Sequence, residues 1–362
     1  MNGGSELSSR VRVLVVEDSL VVRILLTHII ARDPRLELAG AVESGEAALA
    51  AIETVRPDVV SMDIRLPGID GLETTRRIMA SRPTPIVVIA DSVEDASLRI
   101  SMNALRAGAL SVVEKPVATT NDGYEAVAGQ ICTQLRIMAA VPVIRRRPIG
   151  AEWNARKAGP APESLPSFEP EAAPSVLAVA ASTGGPPALA KVLGGLTADF
   201  PLPVLLVQHM GAAFMDGFAD WLDGVVPLPV GVARDGQTMQ PGHVYVAPGD
   251  RHLELGANGT LRVGDAALVG GQRPAATVLF RSVARQAGPQ GIGVLLTGMG
   301  EDGAQGLLDM RRAGAATVAE HESSAVVYGM PAAAVRLNAA ARVLPIDQVA
   351  PHLVRLAQRR PA

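Results

Sequence analysis

Val176–Leu189 reads V-L-A-V-A-A-S-T-G-G-P-P-A-L, and the order of its parts decides the fold class. Six apolar residues with no charge and no alternating polar position form a strand buried on both faces, as in parallel sheets covered by helices. Ser182 and Thr183 follow, then Gly184 and Gly185, then two prolines. Glycine permits a sharp turn, and proline fits a helix only in its first turn. The stretch therefore predicts strand, tight turn and helix. The alternation continues downstream, with strands at Val204–Val207, Val244–Val246, Gly293–Leu296 and Ala316–Ala319. Helical patterns cover Pro187–Gly195, Ala276–Ala287 and Gly303–Ala313. Strands alternating with helices of this length give βαβ units and a doubly wound parallel sheet.

Upstream, residues 11–116 repeat that alternation. Strand-like runs lie at Val11–Val16, Leu36–Val42, Val59–Met62, Ile86–Ile89 and Leu110–Val113. Helical spacing covers Leu20–Ala31, Gly45–Thr54, Gly71–Ala80, Ala96–Ala107 and, as a closing helix, Ala126–Ala140. The composition changes at Val141–Pro174, which carries R-R-R-P and then A-G-P-A-P-E-S-L-P-S-F-E-P-E-A-A-P. Proline at this density denies helix and sheet their donors, so the segment reads as an extended linker. The expected organisation is a tail over residues 1–10, an α/β domain over 11–140, a Pro-rich linker over 141–174 and a second α/β domain over 175–356.

The chain has 362 residues, 48% hydrophobic and 19% charged, which suits two packed cores and excludes a disordered protein. A formal net charge of −3 argues against a general electrostatic hold on nucleic acid. The single cysteine, Cys132, forbids an internal disulfide, and the polar start M-N-G-G-S-E-L-S-S-R lacks the apolar core of a signal peptide. Apolar runs stop well short of a membrane span. The expectation is a cytoplasmic protein with no nucleic-acid partner and no direct membrane insertion.

Binding residues in a parallel α/β sheet gather at the carboxyl ends of the strands. In the first domain Glu17 and Asp18 follow the first strand, Asp63 ends the third and Lys115 follows the last. Three carboxylates converging with one ammonium favour a hard, oxygen-loving cation such as Mg²⁺. One carboxylate is then set to attack a phosphoryl donor while metal and lysine absorb the phosphate charge.

In the second domain Ser182, taken alone, reads as a helix N-cap or a phosphate contact rather than a nucleophile. Among the six histidines only His209 directly follows an apolar strand, in P-V-L-L-V-Q-H-M. His243 and His252 flank an expected hairpin, G-H-V-Y-V-A-P-G-D-R-H, and read as loop or substrate-rim groups. A third strand end carries G-V-L-L-T-G-M-G-E-D-G, where Glu301 and Asp302 are both candidates to orient a histidine. Three neighbouring strands would then deliver a serine nucleophile, a histidine base and an orienting carboxylate, with backbone N–H groups at Met299 and Thr183 facing an oxyanion.

Residues 11–116 resemble a response-regulator receiver domain through V-V-E-D-S, M-D-I-R-L-P-G-I-D-G, R-A-G-A-L and V-E-K-P. That resemblance implies a flavodoxin-like fold with Asp63 as phosphoacceptor. Mg²⁺ is then held by Glu17, Asp18 and Asp63 with the Arg65 carbonyl, and Lys115 contacts the phosphate. Two positions depart from it. Ala90 stands where receivers carry Ser or Thr, and Val112 where an aromatic switch residue is expected; either Asp91 or Ser92 compensates or the switch differs.

The blocks A-S-T-G-G-P, Q-H-M and T-G-M-G-E-D-G resemble the Rossmann-like catalytic domain of the chemotaxis protein-glutamate methylesterases, the CheB type. G-H-V-Y-V-A-P-G-D-R-H-L, T-V-L-F-R-S-V-A and V-V-Y-G-M-P support the same match. The resemblance selects Asp302 over Glu301 and implies the set Ser182, His209 and Asp302. The family often has Asn at the place of Glu301, and this second carboxylate is expected to raise the pKa of Asp302. It further implies a serine esterase that removes γ-glutamyl methyl esters from methyl-accepting chemotaxis receptors, releasing methanol, and deamidates receptor glutamines. A CheA-type histidine kinase would phosphorylate the receiver, which when unphosphorylated covers the catalytic face. Mg²⁺ serves the receiver alone, and the ester chemistry needs no cofactor. The rival reading is a partner-binding signalling module whose receiver responds poorly to phosphate. Dinucleotide binding is disfavoured, because A-S-T-G-G is not G-x-G-x-x-G.

Overall fold

The computed structural model describes residues 10–90, 109, 111–116, 121–141 and 172–358, and the chain divides into two units, Met1–Glu152 and Trp153–Ala362. The expected helix at Ala96–Ala107, the residues Asp91 and Ser92, and nearly all of the linker lie outside the described residues.

In the first unit the elements run β1 (Val11–Val16), α1 (Leu20–Arg32), β2 (Leu36–Val42), α2 (Gly45–Val55), β3 (Val59–Asp63), α3 (Gly71–Ser81), β4 (Ile86–Ala90), β5 (Ser111–Glu114) and α4 (Asn121–Ala139). Each of the first three helices starts at a residue whose side chain accepts a backbone N–H: Ser19, Ser44 and Asp70. The strands form one parallel sheet in the order β2-β1-β3-β4-β5. The β3 and β4 strands are buried throughout, Ser61 and Asp63 of β3 included, as the inner strands of a parallel sheet covered on both faces are. Their carboxyl ends are therefore the places where the chain changes from apolar to ionisable.

The second unit contains β6 (Val176–Ala181), α5 (Gly185–Gly194), β7 (Val204–Gln208), α6 (Met215–Asp223), β8 (Val230–Val232), β9 (Val244–Val246), β10 (His252–Leu255), β11 (Leu261–Gly264), α7 (Ala276–Gln286), β12 (Gly291–Leu295), α8 (Ala304–Arg312), β13 (Ala316–Glu320), α9 (Met330–Arg336), β14 (Arg342–Leu344) and α10 (Ile346–Ala357). Seven strands form a parallel sheet ordered β14-β13-β12-β6-β7-β9-β8. The chain leaves β6 to one side through β7 and returns to the other through β12, so the strand order reverses beside β6. Such a switch point opens a crevice at the carboxyl edge.

The doubly wound parallel class expected for both units holds. The hairpin expected around Val244 does not form. Val244–Val246 joins the parallel sheet, and His252–Leu255 pairs antiparallel with Leu261–Gly264 in a separate ribbon. Edge strands β8 and β14 escape sequence reading because each three-residue run is interrupted, by Gly231 in one and Arg342 in the other. Among the described residues no helix is long and apolar enough to cross a membrane.

Candidate active site

Three strand ends meet beside β6. The ladder between β6 and β7 ends with Ala181 opposite Gln208, so Ser182 and His209 occupy the next positions on adjacent strands. His209 N–H donates to Ala181 O at 3.0 Å, and Ser182 N–H donates to Thr297 O, beyond β12, at 3.0 Å. After Ser182 the chain turns at once, with Gly185 N–H donating to Ser182 O at 2.8 Å. Gly184 has a φ of 76°, and a Cβ there would lie 2.5 Å from Val326 Cβ. Glycine is thus required at this turn on two counts. The α5 helix then begins with Pro186 and Pro187 in its first turn.

Asp302 reaches this edge from the far side of the switch point. Its Oδ2 lies 2.9 Å from His209 Nε2 and accepts the Ala276 N–H at 2.7 Å. Its Oδ1 accepts the N–H groups of Thr277 at 3.0 Å and Gly303 at 2.8 Å. Ala276 and Thr277 open α7, so the carboxylate sits against a helix N-terminus, where negative charge is favoured. Burial pushes the Asp302 pKa up, but the bonds and charge from His209 and the Thr277 bonds outweigh it and leave it below the ordinary value. The increase expected from Glu301 does not occur. That side chain points away, pairing with Arg336 at 2.8 Å on the surface. Exposed pairs of this kind are worth at most about 1 kcal/mol, so Glu301→Gln should lower the melting temperature by no more than about 4 °C, as calorimetry would read.

An ionised Asp302 accepts and cannot donate, so the hydrogen of this bond sits on His209 Nε2. The structure thus joins His209 to Asp302 by a hydrogen bond and sets Ser182 on the adjacent strand end. Ser182 Oγ makes no hydrogen bond among the described residues. Met299, 46% exposed, stands at the tip of the loop after β12 and its N–H donates to no acceptor among the described residues.

Sequence reading missed the residues behind this edge. Thr297 donates its N–H to Glu320 Oε2 at 2.8 Å and its hydroxyl to Thr183 O at 2.9 Å, which ties the Met299 loop to the Ser182 turn. Burial raises the Glu320 pKa. Thr277 Oγ1 accepts the Gly303 N–H at 2.9 Å. His252 is buried, not a rim group: its Nδ1 accepts the Ala275 N–H at 3.1 Å, just before the α7 helix that holds Asp302. A signal was present, since Gln208 and Glu320 are single polar residues at the ends of apolar strands.

In the first unit the expected cluster also assembles. Glu17, Asp18 and Asp63 offer carboxylate oxygens all within 4.8 Å of one another. Lys115 Nζ lies 3.0 Å from Asp63 Oδ2 and 3.1 Å from Glu17 Oε2. Burial, then the charge of Asp63, pushes the Glu17 pKa up to about 7 against the opposing pull of Lys115; burial likewise raises that of Asp63. Arg65 donates its N–H to Asp63 Oδ1 at 3.2 Å. Ala90 ends β4 and is buried, with its carbonyl accepting the Lys115 N–H at 3.0 Å. Val112 pairs in register with Val88.

Fold and site together define a two-unit signalling protein in which a receiver-type acid pocket precedes an α/β domain with Ser, His and Asp gathered at one sheet edge. Residues 13–127 match the response regulator receiver domain and residues 177–353 match the CheB methylesterase domain. A protein-glutamate methylesterase/protein-glutamine glutaminase of Paramagnetospirillum magneticum is 52% identical over 96% of this chain and 98% of its own length. One from Myxococcus xanthus is 46% identical over 94% of this chain and 96% of its own length. The crystal structure of the Thermotoga maritima CheB methylesterase catalytic domain, 34% identical, covers 51% of this chain and 100% of that one with a TM-score of 0.50. The chain belongs to the CheB methylesterase family, in the form that carries a receiver domain.

Proposed function

We propose that this enzyme hydrolyses γ-glutamyl methyl esters on methyl-accepting chemotaxis receptors, with Ser182 as nucleophile. His209 Nδ1 takes the hydroxyl proton as the serine oxygen bonds to the ester carbonyl carbon, and returns it to the departing methoxide as methanol. Water, deprotonated by the same nitrogen, then cleaves the acyl-enzyme to a free glutamate and regenerates Ser182. A glutamine side chain follows the same course with ammonia leaving. Asp302 holds the ring in the tautomer the first step requires and balances the imidazolium it creates. The N–H groups of Met299 and Thr183 face the oxyanion. The observation that carries this reading is the 2.9 Å bond between His209 and Asp302 at the carboxyl edge next to Ser182.

The test is methanol release from glutamyl-methylated receptor membranes, beside covalent labelling by a fluorophosphonate. Release together with a single phosphonylated peptide containing Ser182 supports the reading. Release without labelling at Ser182 rules it out.

In the receiver, Asp63 is the phosphoacceptor for a CheA-type histidine kinase in the cytoplasm, and Lys115 contacts the phosphoryl group. Mg²⁺ fits the pocket. Glu17 Oε2 is buried and makes no hydrogen bond although the Lys115 ammonium is 3.1 Å away, so it has a lone pair to give. Glu17, Asp18, Asp63 and the Arg65 carbonyl would hold the ion, which when bound neutralises the charge of the incoming phosphoryl group.

A pH dependence follows. The Glu17 pKa is about 7 against an ordinary value of 4.5, so the folded receiver holds its proton more tightly than the unfolded chain. That contribution to stability is complete below about pH 4.5 and is lost as pH rises through about 7. Mg²⁺ takes the place of the proton, so its stabilising effect on the receiver's melting temperature should grow as pH rises through about 7. A Mg²⁺ effect that is flat across that range would contradict the assignment.

One observation favours a second reading of the regulation. Ala90 offers no hydroxyl at the end of β4, which removes the usual link between phosphoryl group and switch. If the receiver is unresponsive for this reason, a small acyl phosphodonor with Mg²⁺ will leave the rate of methanol release unchanged.

A further inference from the structure

We propose that Gln208 is a positioning residue that fixes the nucleophile and the base relative to each other; this rests on the reading of Ser182 and His209 given above. Gln208 is the last residue of β7 and is 1% exposed. Its side-chain Nε2 has two hydrogens and both are used. One goes to Ser182 O at 2.9 Å, the other to His209 O at 3.0 Å. A single planar group therefore links the backbone of the two residues just past the point where the β6–β7 ladder stops. The ladder itself cannot do this, because Ser182 O has already turned toward the Gly185 N–H.

The orientation of the amide is not free. Rotating it by half a turn would bring Oε1 against two carbonyl oxygens, leaving His209 O without its donor and Ser182 O with the Gly185 N–H alone. In the orientation present, Oε1 is buried and receives no hydrogen bond. A Cβ on Gly185 would lie 1.9 Å from that oxygen. The two glycines after Ser182 thus have different reasons. Gly184 is needed for its left-handed backbone, whereas Gly185 has no positive φ and is the seat against which the Gln208 amide rests. The pair Gly185, at the start of α5, and Gln208, at the end of β7, acts as a unit.

A purely structural role would lower the melting temperature and leave the chemistry of the folded enzyme alone. A positioning role moves kcat, because displacement of reacting groups by about 1 Å costs about a hundredfold in rate. The experiment uses the full chain with Gln208→Leu, Gln208→Glu, Gly185→Ala and the double variant Gly185→Ala with Gln208→Leu. Readouts are kcat and KM for methanol release, the rate of Ser182 phosphonylation by a fluorophosphonate, and melting temperature. Expected are a kcat reduced about a hundredfold, a phosphonylation rate reduced in parallel, and an unchanged KM. The double variant should be no worse than either single one, as residues acting through one contact are not additive.

Wild-type kcat and labelling rate in a folded Gln208 variant, with only the melting temperature lowered, would overturn the proposal. So would effects of Gly185→Ala and Gln208→Leu that multiply. Should the variants fail to fold, the unmutated chain decides by nuclear magnetic resonance. Side-chain amide protons of Gln208 that exchange slowly and shift on phosphonylation of Ser182 support the clamp, and fast-exchanging, unshifted ones refute it. Ser182→Ala serves as the separate control. If it still releases methanol, the assignment of the nucleophile fails, whatever the Gln208 variants do.

Discussion

Ser182→Ala should reduce methyl-ester hydrolysis by about 10⁵- to 10⁶-fold, the scale seen when a serine hydrolase loses its nucleophile, while the protein melts within a degree or two of the parent. Both halves of that expectation come from the geometry. The serine backbone is held independently of its hydroxyl, by the N–H to Thr297 O and by the carbonyl that accepts from Gly185 and Gln208. The hydroxyl itself makes no hydrogen bond among the described residues, so alanine deletes an oxygen the fold does not use. Circular dichroism melting beside the methanol assay checks this. A large fall in melting temperature would show that Ser182 is built into the turn as a cap, and a residual rate above one-hundredth of the parent would remove it as nucleophile.

Asp302→Asn should lower kcat by about 10⁴-fold, with receptor binding little changed. An asparagine can keep its oxygen on the Oδ1 side, where the N–H groups of Thr277 and Gly303 require an acceptor. Its NH₂ group then faces His209 Nε2 and the Ala276 N–H, where the carboxylate had accepted both. His209 can meet a donor there only by presenting the Nε2 lone pair, which moves its hydrogen to Nδ1, the nitrogen that must receive the proton from Ser182. The Ala276 N–H is left without an acceptor, so some loss of stability accompanies the loss of rate. Steady-state kinetics on methylated receptor membranes measures the rate effect. The imidazole ¹⁵N shifts of His209 report the tautomer directly, and an unchanged Nε2–H signal in the variant would contradict the account.

Much of this site was legible before any coordinates. Unbroken apolar runs such as Val176–Ala181 and Gly293–Leu296 declared buried parallel strands, and the rule that chemistry collects at their carboxyl ends picked out Ser182, His209, Asp63 and Lys115. What could not be read was anything decided by side-chain direction. Glu301 and Asp302 are adjacent carboxylates that spacing alone did not tell apart; the resemblance chose Asp302, and the structure sends it to the histidine and Glu301 to Arg336 at the surface. His252 looked like a loop residue because the strands around it were paired wrongly in the sequence reading, as a hairpin. Once Val244–Val246 lies in the parallel sheet, His252 opens a separate ribbon and faces inward. Thr297, Gln208 and Glu320 went unremarked because a lone polar residue at a strand end usually only ends the strand.

The reversal of strand order beside β6 has a consequence for incomplete chains. Ser182 and His209 are close in sequence, but the carboxylate that orients the ring lies 93 residues beyond the histidine, on the other flank of the crevice. A chain that stops anywhere in that interval holds Ser182 and His209 without Asp302. On the proposed reading the set is therefore complete only once the chain has been made through Asp302, on both flanks of the crevice.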